Sequence, residues 1–327
     1  MPARASGSAP AVDTPEPSGR RLDLQRGTVN KGQAVFRTYT TLNRCLAAVP
    51  EPFALGVANL VGDVLFEVRH GHRRMVMNNL RRVLGADAGD EEILQRWARR
   101  SFRAYARYWV EGAQLGSTSP IEVEQRTLVQ GFDHLVEGMA AGKGVIMALP
   151  HVGSWEFGGA FLATQDMPMT AVAEQIEPPE LFEFMVEQRA GMGLTIVPLG
   201  PSSGSTIIST LKRGGLVGLL SDRDLAGNGV DVDFFGEKTT MPAGPATLAL
   251  RTGAPLVTAV VYSGPGADHR AMIDPPLDTT RRGSLRSDVA RLTQEIASRF
   301  EVMIRRAPEQ WHVFQPLWSA DRPEDAA

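Results

Sequence analysis

A chain of 327 residues with 43% hydrophobic and 22% charged side chains can build a sizeable core, in one large domain or two modest ones. A net charge of −3 argues against a general nucleic-acid binder, and the single cysteine, Cys45, excludes an intrachain disulfide and fits a reducing compartment. The few His and Cys residues form no ligand cluster, so no metal is expected, and the absence of a run of roughly 18 apolar residues predicts no transmembrane helix.

Residues 1–28 are rich in Pro, Ser, Ala and charge, lack the apolar stretch of a signal peptide, and read as a disordered tail. Positions 35–49 carry a helix-compatible pattern that stops at Pro50. Positions 52–66 are the most apolar in the chain; Asn59 and Asp63 interrupt them, so they suit a core helix or one lying in a membrane interface. Ten arginines follow between Arg69 and Arg107, against only Asp87, Asp90, Glu91 and Glu92. Such a region can dock on anionic lipid headgroups, or simply form a solvated face laced with ion pairs. Phe102, Tyr105, Tyr108 and Trp109 fall on one helical stripe, which suits a core face better than a membrane belt. Positions 29–130 are thus expected as a helical, basic, membrane-associating part.

From Gly131 to about position 318 the texture is α/β. Strands are expected at 145–149, 169–173, 194–198, 216–220, 230–235, 255–262 and 270–273. Helices are expected at 132–141, 157–164, 179–190, 207–213, 244–251 and 285–305, with Gly214-Gly215 a C-terminal stop and Pro245 at an early helical position. Trp311, His312 and Trp318 lie in the tail, and positions 319–327 read as frayed. The expected fold is a mixed, mainly parallel sheet flanked by helices.

The chemistry gathers at 144–159, GVIMALPHVGSWEFGG. A short apolar run suits a buried strand; His151 follows it, then Gly153, Ser154, Trp155 and Glu156, before a helix begins. Strand carboxyl ends are where open α/β sheets bind ligands, and a histidine there acts as a base when another group orients it. A His near a Glu also serves merely to cap or tie a loop. A second charged cluster, Ser221-Asp222-Arg223-Asp224, stands at another strand end.

LPHVGSWEFGG resembles the first motif of glycerolipid-type acyltransferases, a histidine followed after four residues by Asp or Glu. SDRDLAGNGVDVDFFGEKTTMPAGPATLALRTGAPLV resembles the later block of the lipid A biosynthesis acyltransferase group, and RYWVEG and NNLRRVLG fit its N-terminal half. AEQIEPPELFE, DRDL and FFGEKTTMPAGPA are most similar to its actinobacterial branch, the phosphatidylinositol mannoside acyltransferases. The resemblance covers about 35–318. It implies transfer of a long acyl chain from acyl-CoA, as co-substrate and without a cofactor, to a mannose hydroxyl of phosphatidylinositol mannoside at the cytoplasmic membrane face. Another glycolipid acceptor, transfer to water and non-catalytic lipid binding are the rival readings.

On that footing His151 is the general base, and the hydroxyl attacks the thioester directly. Glu156 or Asp222 orients the imidazole; Asp222 stands where the branch often carries Glu, which shortens its reach by one methylene. Backbone N–H groups at Gly153 and Ser154, or at the Gly244-Pro245 helix start, are candidates for the oxyanion site. Arg189 and Arg223 are candidates for phosphate or headgroup contacts, and Glu174 for an acceptor-side contact.

Overall fold

The structure, a computed structural model, describes residues 20–321, with side chains from residue 31 onward. Helix α1 (Arg20–Ala48) covers positions 20–28, which composition assigned to a disordered tail; positions 1–19 lie outside the described residues. Helix α2 (Glu51–Val68) starts right after Pro50, with Pro52 in the first turn, where a missing N–H is harmless. One face of α2 buries Ala54, Ala58, Gly62 and Phe66. These small residues allow close approach to the next long helix: a Cβ on Gly62 would stand 2.6 Å from the Arg103 Cα. The other face exposes Phe53, Val57, Leu60, Val61, Val64 and Val68, an apolar stripe at helical spacing. No described helix is long and apolar enough to cross a membrane.

Helix α3 (His70–Leu84) and helix α4 (Glu91–Leu115) carry the arginines. Asp90 caps α4 by accepting from the Ile93 N–H at 3.0 Å. Much of the positive charge is paired: Arg103 holds Asp63 with two bonds of 2.7 Å, Arg99 pairs with Glu67, and Arg82 with Glu237 and Asp321. Of the aromatic stripe on α4, Phe102 is core, whereas Tyr105, Tyr108 and Trp109 are half-buried.

Next come α5 (Pro120–Gln125), β1 (Thr127–Gln130), α6 (Phe132–Ala140), β2 (Val145–Leu149), α7 (Trp155–Thr164) and β3 (Met169–Ala173). They are followed by α8 (Pro179–Gly191), β4 (Thr195–Pro198), α9 (Ser203–Lys212), β5 (Leu216–Leu220) and the pair β6 (Val230–Phe234) and β7 (Glu237–Met241). The last elements are α10 (Gly244–Thr252), β8 (Leu256–Ser263), β9 (His269–Ile273) and α11 (Leu285–Arg306). Seven strands form one sheet in the order β1-β9-β8-β2-β5-β3-β4. Its pairings are parallel except β8–β9, so the sheet is mixed and mainly parallel, as expected.

Strand β2 is central and buried throughout, which explains its continuous apolar run. Its side chains alternate. Ile146 and Ala148 join one core, with α9, α10 and α11; Val145, Met147 and Leu149 join the other, with α6 and α7. Two strands escaped the sequence reading. Strand β1 is a short, half-exposed edge that precedes position 131, where the α/β part was expected to begin. Strand β7 is polar and forms a separate hairpin with β6, through a two-residue turn at Phe235 and Gly236 with φ of 52° and 80°. At the C-terminus, Asp321 accepts from Arg82 and Asn78, so the tail is held to that point; positions 322–327 lie outside the described residues.

Candidate active site

Strands β2 and β5 pair in parallel with Leu149 opposite Leu220. Continuing that register two residues past both strand ends sets His151 beside Asp222. Asp222 Oδ1 lies 2.5 Å from His151 Nδ1, and Asp222 Oδ2 accepts from the His151 backbone N–H at 2.9 Å. Oδ2 also accepts from Trp311 Nε1 at 2.8 Å. The Asp222 side chain is fully buried while that of His151 is 22% exposed. Burial alone would raise the Asp222 pKa; the His151 charge and the hydrogen bonds from His151 and Trp311 outweigh it and hold the carboxyl below its usual range. A buried carboxylate on Nδ1 fixes the tautomer that leaves a lone pair on Nε2. Nε2 makes no hydrogen bond with the described residues.

Of the two candidate orienting carboxylates, then, Asp222 touches His151. Its shorter side chain suffices because the register brings its backbone alongside. Glu156 does something else. From the first turn of α7 its Oε1 accepts from Tyr108 Oη and Arg189 Nη2, both at 2.8 Å, and its Oε2 is buried without a partner. It ties α7 to α4 and α8. Burial and the Glu156 charge push the Tyr108 hydroxyl well above its ordinary pKa. Arg189, expected to meet a phosphate, is mostly buried and neutralised by Glu156, so it is not a free anion clamp.

The expected oxyanion donors at Gly153 and Ser154 are also corrected. The Gly153 N–H donates to the Gln310 carbonyl and the Ser154 N–H to the Val261 carbonyl, both at 3.0 Å. Gly153 is required for another reason: its φ is +62°, and a Cβ would fall 2.0 Å from the Val261 carbonyl oxygen. The other candidate is the start of α10. Strand β8 starts beside Ile146, with three residues between it and the end of α10, so nine-residue α10 runs back about 13 Å toward the edge that carries His151. Arg223 is half-buried next to Asp222 and Glu174 is exposed just past β3; neither bonds to the described residues, and both lie at that same edge.

A strap from the C-terminal tail closes the site. Trp311 bridges Val152 in antiparallel fashion, and the His312 N–H donates to the His151 carbonyl at 2.7 Å. Gln310 clamps the end of β8 through both backbone groups of Ser263, at 2.8 Å each. The His312 ring lies against Tyr108 and Tyr105, with centroids 5.2 and 5.7 Å away. Both its ring nitrogens are shielded and unpartnered. Burial, reinforced by the His151 charge, pushes its pKa down to about 4. Sequence reasoning noted Trp311 and His312 without giving them a role; aromatic residues in an otherwise polar tail were the available signal.

At the same end of β8, Arg107 and Glu111 of the RYWVEG segment anchor α4 to the β8–β9 turn. Arg107 donates to the Gly264 and Gly266 carbonyls at 2.8 and 2.7 Å, and Glu111 accepts from Ser263 Oγ at 2.9 Å. Burial opposes ionisation of Glu111, yet His269 and Arg107 hold its pKa at about 2. The described residues contain no cluster of His, Cys, Asp and Glu that could hold a metal ion.

A family model for bacterial lipid A biosynthesis acyltransferase matches residues 32–320. A phosphatidylinositol mannoside acyltransferase of Mycolicibacterium smegmatis is 36% identical over 301 residues, covering 90% of this chain and 94% of that protein. One from Mycobacterium tuberculosis is 37% identical over 283 residues, covering 85% and 86%. A lipid A biosynthesis acyltransferase of Haemophilus influenzae is 26% identical over 208 residues, 61% of each chain.

Proposed function

The chain belongs to the bacterial lipid A biosynthesis acyltransferase family, and from that premise we propose that it transfers a long, palmitoyl-like acyl group from acyl-CoA to a mannose hydroxyl of phosphatidylinositol mannoside. The observation that carries the reading is His151 Nδ1 on the buried Asp222 carboxylate, with Nε2 left open at the strand edge. An alcohol is a poor nucleophile near neutral pH, so its proton must leave as it attacks. His151 Nε2 accepts that proton while the oxygen adds to the thioester carbonyl; Asp222 stabilises the imidazolium. The tetrahedral intermediate then collapses, the C–S bond breaks, and His151 returns the proton to the departing thiolate. The first turn of α10 supplies positive dipole toward the oxyanion.

Two further features bear on the reading. A narrow apolar seam lies between α7 and the sheet, lined by Met147, Leu149, Trp155, Phe161 and Met272 among others; it is too small for an acyl chain as it stands and would have to widen to admit one. The exposed α2 stripe suits insertion into the interface of the cytoplasmic leaflet, and Arg73, Arg74 and Arg81 of α3 line a surface groove that suits anionic headgroups. Arg223 and Glu174, at the same edge of the sheet, are the candidates for contacts to the acceptor headgroup.

The test is an acyl-transfer assay with purified protein, labelled palmitoyl-CoA and a phosphatidylinositol mannoside extract, with His151→Ala alongside. Labelled glycolipid from the wild type alone is the expected result. Free labelled fatty acid alone would point to a hydrolase, and no turnover by either protein to a lipid-binding role. A lipid A precursor as acceptor in the same assay tests the other activity named among the relatives.

A further inference from the structure

We propose that Trp311 is a positioning residue for the His151–Asp222 pair: its indole N–H locks the Asp222 carboxylate so that one oxygen alone is presented to His151 Nδ1. The inference rests on the acyl-transfer reading only for its kinetic readout. Asp222 accepts three hydrogen bonds, two at Oδ2 and one at Oδ1. Of the two at Oδ2, the one from the His151 backbone cannot by itself stop the carboxylate rotating about its Cβ–Cγ bond. The indole N–H, arriving from a different segment, adds a second fixed point on the same oxygen.

The indole is itself held on every side. Trp311 is 3% exposed and bridged to Val152. Its ring packs among Phe234, Phe235 and Trp318, with centroids 6.0, 6.0 and 6.4 Å away. Its two neighbours in the strap bond the His151–Gly153 backbone: the Gln310 carbonyl takes the Gly153 N–H, and the His312 N–H meets the His151 carbonyl. One short segment therefore fixes both halves of the dyad, the imidazole through its main chain and the carboxylate through the indole. A tryptophan that only packed would not need its N–H aimed at a buried carboxylate. Trp318, in the same aromatic cluster and 1% exposed, has an indole N–H with no partner among the described residues.

That contrast supplies the control. Trp311→Phe keeps an aromatic ring and removes the N–H; Trp318→Phe removes similar bulk from the same cluster and no hydrogen bond. The titratable groups around the pair and the strap include His312, Tyr105, Tyr108 and Glu111, with Arg223 beside Asp222, and neither substitution replaces any of them. Without the indole donor the carboxylate charge is more concentrated and holds the His151 proton more tightly. The acid limb of the kcat/KM profile of Trp311→Phe should then move to higher pH. Its kcat should fall on the order of tenfold, as outer-shell partners of an active imidazole do when lost, with KM for both substrates nearly unchanged. Trp318→Phe should lower thermal stability and leave the pH profile where it was.

A titration of the His151 imidazole by NMR reads the same shift without turnover. If it moves in Trp311→Phe alone while no variant transfers acyl groups, the positioning role stands and the acyl-transfer reading falls. If Trp311→Phe and Trp318→Phe share the wild-type profile and titration, Trp311 is packing and the proposal is overturned. Should the phenylalanine variant fold poorly, benzothienylalanine at position 311 keeps the bicyclic ring and replaces only the N–H with sulfur.

Discussion

Replacing Asp222 with Asn removes a charge and almost no volume, so it isolates what the carboxylate contributes. Three donors point at Asp222: the His151 N–H, His151 Nδ1–H and Trp311 Nε1–H. An amide has one acceptor oxygen and one NH2 group. If the oxygen keeps the two donors now on Oδ2, the NH2 faces Nδ1 and forces the proton onto Nε2. The imidazole can then no longer accept a proton from the attacking hydroxyl. In a serine-protease triad this change of tautomer costs about 10⁴ in kcat, or about 5 kcal/mol of transition-state stabilisation. The same geometry here predicts a fall of that order for Asp222→Asn in the palmitoyl-CoA transfer assay, with KM for both substrates within about threefold. If instead the amide flips, the indole and the backbone N–H face an NH2, and the fold is destabilised by about 1–3 kcal/mol. A melt taken beside the assay separates the two outcomes. Retention of a tenth or more of wild-type kcat in a stably folded Asp222→Asn protein would refute the assignment of Asp222 as the orienting group.

Glu156→Gln should behave differently, because Glu156 holds Arg189 and Tyr108 and not His151: breaking that buried pair should cost about 3–5 kcal/mol in urea unfolding, with a smaller drop in kcat than Asp222→Asn gives. His312 makes stability depend on pH. Its folded pKa of about 4 lies below the ordinary 6.5, so the unfolded chain binds more protons between those values; stability should fall as pH drops through that window, by on the order of 2–3 kcal/mol, and His312→Gln should flatten the loss above pH 5. On α2, Phe53 and Leu60 are 73% and 66% exposed. If they enter the interface, the double change to Asp should weaken binding to anionic vesicles at least about 100-fold in a sedimentation assay, taking about 1.5–3 kcal/mol per buried side chain; unchanged binding would rule α2 out as the anchor.

Local pattern by itself determined a good deal of this protein. The unbroken apolar run at 145–149 announced a central strand, because a strand covered on both faces has no polar side to show. His151 was marked out by where that run ends. The acyltransferase family was also legible, since each of its two motif blocks is an unbroken run of residues. Position 222 was a candidate because it follows another strand and matches the acidic position of the family's later block.

Which of Glu156 and Asp222 touches His151 became visible only in three dimensions. Nearness in sequence favoured Glu156, but the first turn of a helix points that side chain toward α4 and α8. Parallel register, which no local pattern encodes, sets Asp222 beside His151 across 71 residues. The same holds for Trp311, 89 residues from its carboxylate, and for the N–H groups of Gly153 and Ser154, whose acceptors come from the strap and β8. Sequence periodicity reports which side of an element faces the core. Which distant backbone arrives opposite a given atom depends on strand order and on where the chain returns, and these exist only once the whole sheet has formed.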